Sequence, residues 1–166
     1  MDPEGKFKWD WIPSRGKSGG ILGGINKDKF DLINVKHGKY ILQMDLFDKG
    51  KKCNWALLVV YGAAQDENKP EFIAELSNMC NSTHIPYLVG GDFNILRHNG
   101  EKNKKTSMSH FSDVFNSVIH LLGLREISMS GECYTWSNKQ ENPTLEKLDR
   151  ILMSSDWEDL YPLFSV

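Results

Sequence analysis

Residues Tyr87–Leu96 read YLVGGDFNIL. Tyr87, Leu88 and Val89 lead through two glycines into Asp92, Phe93 and Asn94. A strand entering a core gains nothing by ending on an acid and an amide. In an extended chain, residues two apart point the same way, which puts Asp92 and Asn94 on one face and Phe93 on the other. A carboxylate beside a carboxamide at the mouth of a strand gathers acceptors and donors in one small volume. An Asx turn closing the strand is the alternative, because both side chains favour turns through bonds to backbone. The decapeptide alone leaves both readings open.

The wider chain narrows the choice. Its 166 residues suffice for one domain with a real core and are too few for two ordinary ones. A 40% hydrophobic and 25% charged composition is that of a soluble globular protein. The net charge of −2 gives no whole-molecule field to hold an anionic polymer, so any nucleic-acid contact must come from local patches. Lysines cluster at Lys49, Lys51 and Lys52 and again at Lys102, Lys104 and Lys105, runs that more often mark solvated loops. Three widely spaced cysteines, Cys53, Cys80 and Cys133, argue against a disulfide framework, and no C-x-x-C or zinc spacing occurs. MDPEGKFKWDW is too charged for a signal peptide, and WALLVVYGAA is too short to span a bilayer. A soluble intracellular chain with no membrane partner is expected.

Strand-like stretches open at Ser18 with SGGILGGIN, and FDLINV and YILQMDLF around the turn KHGK read as a hairpin. WALLVVYG is a near-continuous apolar run, the pattern of a strand covered on both faces. Asn68 and Glu71 have the spacing of a capping box ahead of a helical stripe of Phe72, Leu76, Met79 and Cys80. A polar loop from Arg97 to Thr106 precedes a second helix carrying Phe111, Phe115, Val118 and Leu122 and stopping near Gly123. ECYTWSN and KLDRILMS give two more short strands, and SSDWEDLYPLF a helical turn halted at Pro162. Many strands with two helices predict sheet layers covered by helices.

Two motifs fail on inspection. Gly16-Lys17-Ser18 suggests a phosphate-binding loop, but the position five before Gly16 is Trp11 and the segment leads into a strand. Gly19, Gly20, Gly23 and Gly24 are read instead as close backbone approach within a sheet. No G-x-S-x-G elbow exists, and His110 and His120 lie almost three helical turns apart.

Four segments in order, SGGILGGIN, VVYG, GGDFN and YTWSN…KLDRILMSSDW, resemble an endonuclease/exonuclease/phosphatase domain. Their wording resembles most of all the endonuclease domain of plant LINE-type, non-LTR retrotransposon polyproteins. The resemblance runs from Trp9 onward. It implies an α+β fold similar to DNase I, a four-layer αββα sandwich of two packed sheets flanked by helices. It implies phosphodiester cleavage in DNA with Mg²⁺ or Mn²⁺, and a reverse transcriptase domain in cis. A nuclear location would follow.

By the same resemblance, Asp92 orients or deprotonates the attacking water, and Asn94 holds that aspartate and the phosphate. Tyr61 meets the scissile phosphate, Trp136 lines the nucleotide pocket and Leu148 rims it. Asp149 would orient a histidine acid or base. Strand spacing alone sets Asp149 on a face with Ile151 and Met153, where an unpaired carboxylate is costly. The family also carries a metal-binding glutamate in a Q-E-T-like segment and a closing Ser-Asp-His. The sequence has neither: Glu4 lies in an unrelated setting and no histidine follows an aspartate. The expectation is a single partial domain over 1–166, truncated at both ends, with no metal ligand assigned and with impaired catalysis. A non-catalytic binding remnant and a phosphatase acting on a nucleotide or inositol phosphate are the alternatives.

Overall fold

The computed structural model describes residues 4–14, 19–104, 107, 109–128 and 133–162. Gly16-Lys17-Ser18, Lys105, Thr106, Glu132 and the closing residues 163–166 lie outside the described residues.

A central sheet is built from β3 (Phe30–His37), β4 (Ile41–Asp48), β5 (Cys53–Tyr61), β6 (Tyr87–Asp92), β10 (Asp149–Met153) and β7 (Arg125–Glu126), in that spatial order. β5 and β6 are parallel and the other neighbours antiparallel. The expected hairpin is β3–β4, with a bulge between Leu32 and Asn34 that turns Ile33 out to solvent. β4 and β5 alternate between two apolar faces, as strands covered on both sides must. Leu42, Met44, Leu46 and Trp55 enter one core cluster; Ile41, Ala56, Leu58 and Val60 enter the other.

Helices α1 (Lys69–Asn81) and α2 (His110–Leu121) cover the second of those faces. Phe72, Ile73, Leu76 and Cys80 are buried from α1, and Ser112, Phe115 and Ile119 from α2. A two-stranded antiparallel sheet, β1 (Phe7–Ile12) and β2 (Ile21–Asn26), packs on the opposite face through Ile12, Ile21 and Ile25. Helix α3 (Ser155–Leu160) joins that face through Trp157, which meets Trp55 with ring centroids 6.2 Å apart. A third, two-stranded sheet pairs β8 (Trp136–Ser137) with β9 (Leu145–Glu146). The fold is therefore two packed sheets with helices, as expected. No helix of the described residues is long and apolar enough to cross a membrane.

Gly23 lets the two sheets meet: a Cβ there would stand 2.7 Å from Met44 Sδ and 3.1 Å from Leu42 Cδ2. His37 Nε2 and Asp10 Oδ1, 2.5 Å apart, add a polar clasp between β3 and β1.

Two expectations need correction. The capping box at Asn68 and Glu71 does not form. Asn68 closes a 3₁₀ turn with φ −97° and ψ −11°, so it lacks the extended geometry of a capping residue and makes no side-chain cap bond. Glu71 reaches across instead, accepting from Lys39 Nζ at 2.5 Å and from the Tyr40 hydroxyl at 3.1 Å. The face shared by Asp149, Ile151 and Met153 is also less apolar than predicted. Met153 is buried, but Ile151 is 37% exposed and Asp149 partly so. The buried charge on β10 is its neighbour Arg150.

Candidate active site

Tyr61 on β5 pairs with Asp92 on β6, and Asp92 pairs with Asp149 on β10. Three residues separated by much of the sequence thus form one row across three adjacent strands. Tyr61 packs into the cluster beneath the second sheet, as do Leu88 and Met153. Strand alternation from those neighbours places Asp92 and Asp149 on that same face.

Of the two readings of YLVGGDFNIL the turn is the one realised, because β6 stops at Asp92 and the alternation does not reach Asn94. The Asn94 backbone N–H donates to Asp92 Oδ1 at 2.8 Å, closing an Asx turn. Asn94 takes φ +52°, and its side-chain Nδ2 donates to the Gly62 carbonyl at 3.0 Å. Gly62 N–H in turn donates to the Asp92 carbonyl at 2.7 Å. The turn thereby ties the ends of β5 and β6 together beside the row. Phe93 points the other way, fully buried between Phe72 and Phe115 at 6.3 and 5.3 Å between centroids. Gly91 makes the turn possible: its φ is +136°, and a Cβ would fall 2.1 Å from the Val60 carbonyl oxygen.

Burial raises the Asp92 carboxyl above its ordinary value, and the neighbouring Asp149 charge pushes the same way. The Asn94 N–H and the Arg150 charge oppose this without cancelling it. A carboxylate in a cleft that resists ionisation beside a second acid has the electrostatics of a general-base candidate.

Thr135 joins the β8 segment to the row. Its Oγ1 accepts from both Leu148 N and Asp149 N, each at 2.9 Å. Trp136 follows on β8 and is 43% exposed, so it is not core. Leu148 is buried, accepts from Phe93 N at 3.0 Å and lines a cavity of about 200 Å³ with Asn94, Lys102 and Ser109. The structure thus brings Tyr61, Asp92, Asn94, Asp149 and Leu148 to one end of the central sheet, with the backbone of Trp136 alongside.

Sequence reasoning missed the ionic lattice behind the row. The Arg150 side chain is fully buried and grips Glu101 with two bonds, 2.9 Å to Oε1 and 3.1 Å to Oε2. It also donates to the carbonyls of Ile95 and Lys147 at 2.9 and 3.0 Å. Glu126 receives Arg97 at 2.5 Å and Lys147 at 2.6 Å. Burial pushes both carboxyls up, but these cationic partners outweigh it and hold Glu101 and Glu126 below their ordinary values. The lattice fixes the loop after Asn94 against β7 and β10. The sequence signal was alternation: Arg150 shares its face with buried Leu152.

The Mg²⁺ or Mn²⁺ implied by the resemblance can be tested against the donor set. Asp92 and Asp149 offer two carboxylates side by side. Among the described residues no three His, Cys, Asp or Glu side chains gather as a metal site. No histidine among the described residues hydrogen-bonds Asp149 either. These residues alone do not fit a resident divalent ion, and no step is derived through one.

No protein-family model and no curated protein matches the chain. Solved structures do. The endonuclease domain of TRAS1, a telomere-specific non-LTR retrotransposon, superposes with a TM-score of 0.69 at 14% identity, covering 93% of this chain and 69% of that one. The 3′ phosphatase NExo from Neisseria, bound to product DNA hairpin, gives 0.68 at 16% identity over 90% and 67%. The human Nocturnin catalytic domain gives 0.62 at 16% identity over 90% and 61%. Identities this low establish likeness of fold: the chain has the two-sheet fold of endonuclease/exonuclease/phosphatase structures. It spans roughly two-thirds of the length of each of these three.

Proposed function

We propose that the Tyr61–Asp92–Asp149 row is the phosphate-facing part of a DNA-cleaving site of retrotransposon type, and that these 166 residues by themselves cut poorly. The observation that carries the reading is the strand register, which unites the three residues on one face. Asp92, whose carboxyl is shifted above its ordinary value by burial and so made more basic, would in its ionised form accept a proton from an attacking water once a phosphate lies against the row. The Tyr61 hydroxyl is a donor for a phosphoryl oxygen. Asn94 secures the Asp92 turn, and Trp136 offers an exposed ring for a nucleotide. The wording of YTWSN and LDRILMSSDW, with the fold likeness to TRAS1, supports the retrotransposon assignment, DNA as partner and a reverse transcriptase in cis.

Weak cutting follows from what the row lacks within this sequence. No third ligand completes a metal site among the described residues, and no Ser-Asp-His occurs to supply an acid or base beside Asp149. Catalytic groups act as a unit, and loss of one commonly costs about 10³-fold. Incubating the purified chain with supercoiled plasmid and Mg²⁺ tests this. Nicking no faster than the Asp92→Ala variant is expected, and robust Asp92-dependent nicking contradicts impairment. Phosphate release from a 3′-phosphorylated oligonucleotide without nicking would favour a phosphomonoesterase on the same row.

A further inference from the structure

A second cavity, of about 260 Å³, opens beside Tyr61, and Asp92 is not among the residues that line it. Its apolar lining comes from both sheets, Ile12 and Ile21 from one and Tyr61 from the other, with Tyr40 from the turn before β4. Gly19 keeps the tyrosine bare, since a Cβ there would stand 3.3 Å from Tyr61 Cζ and 3.5 Å from its hydroxyl. At the rim lie two amides, Gln65 and Asn68. Each occupies the capping position of a helical turn, and neither side chain makes a cap bond. Among the described residues neither amide has a hydrogen-bond partner, so both retain donors and an acceptor for a ligand.

We propose that this cavity binds the nucleobase next to the scissile phosphate, and that Gln65 and Asn68 read its edge. Its volume lies below the roughly 300–1,000 Å³ of drug-sized pockets and suits one planar heterocycle. An aromatic wall with amides at its margin matches a base, whose π-face stacks while its edge offers alternating donors and acceptors. Among the described residues that line the cavity the one cation is Lys39, and it is ion-paired to Glu71, so none of them stands free to make it a phosphate pocket. Tyr61 belongs to both the row and the cavity wall, which puts the base next to the strand neighbour of Asp92.

The inference rests on the proposed cleavage site, because that site makes a nucleotide the expected ligand. Binding can nevertheless be read without cleavage. The test titrates ¹⁵N-labelled chain with dAMP, dCMP, dGMP and dTMP, and separately with 2-deoxyribose 5-phosphate. Saturable shifts are expected at the amides of Gly62–Asn68, with at least one base bound about fivefold or more tightly than the sugar phosphate. Gln65→Ala and Asn68→Ala should each weaken that base by about 2- to 10-fold, the worth of one hydrogen bond, and flatten the ranking among the four. Neither removes a cap bond, so spectra should stay dispersed. Equal response to the sugar phosphate, or shifts mapping elsewhere, overturns the proposal. Base binding here, together with a well-folded chimera that carries the missing acid and Ser-Asp-His segments yet stays inert, would instead count against the cleavage site alone.

Discussion

Asp92 and Asp149 occupy paired positions on antiparallel β6 and β10 and face the same side of the sheet. Two acids are thereby held side by side at a strand end, where burial and mutual repulsion both disfavour ionising Asp92. An arrangement that costs stability at neutral pH is expected of a site kept for chemistry rather than packing.

That cost has a sign that can be measured. With the folded-state value of Asp92 raised, the folded chain holds a proton that the unfolded chain has released, between the ordinary value of about 3.9 and the raised one. The resulting stability is fully present below the ordinary value and is lost as pH rises through the folded one. Asp92→Asn, which keeps an oxygen for the Asn94 N–H, should therefore be more stable than the parent at about pH 7. The advantage should shrink toward zero near pH 3. Urea denaturation at the two pH values checks it, and a pH-independent difference would contradict it.

Arg150→Met should be strongly destabilising. It leaves Glu101 buried with its main partner gone, a loss of roughly 3–5 kcal/mol for a broken buried pair. Arg150→Met with Glu101→Gln should recover part of that loss, because the stranded charge is removed. A double mutant no better than the single would show that lost packing, not the orphaned carboxylate, sets the penalty.

Gly91→Ala should cost at least about 2 kcal/mol. The backbone is at φ +136° and the new methyl would collide with the Val60 carbonyl. The residue directly precedes Asp92, so the crosspeak of the Asp92 amide should move even where the variant still folds. An unshifted spectrum would mean the turn tolerates a side chain.

Much of this was legible in sequence because it follows alternation. The β3–β4 hairpin and the doubly covered β5 rest on period two, whereas Tyr61, Asp92 and Asp149 were linked only by the family resemblance and are set in one row by the strand register. β1 escaped notice although FKWDWI alternates, because its aromatics Phe7, Trp9 and Trp11 face outward while Ile12 is buried. Arg150 escaped because its partners Glu101 and Glu126 are brought to it only by the fold. The capping box failed for a similar reason: Lys39 and Tyr40, more than thirty residues away, compete for Glu71.

Mg²⁺ should not bind saturably at physiological concentrations. Two carboxylates cannot supply near-octahedral oxygen ligation unless phosphate and water complete it. Calorimetry showing tight binding abolished by Asp92→Ala would contradict this.

The most direct measurement is plasmid nicking by a chimera. To this chain are joined the acid-bearing amino-terminal segment and the Ser-Asp-His strand of an active endonuclease with this fold. If the row is a phosphodiester-cleaving site, the chimera nicks supercoiled DNA in Mg²⁺, and Asp92→Ala, Asn94→Ala or Asp149→Ala each lowers the rate by about 10³-fold. A well-folded chimera that stays inert, or one whose nicking ignores Asp92 and Asp149, would contradict the assignment.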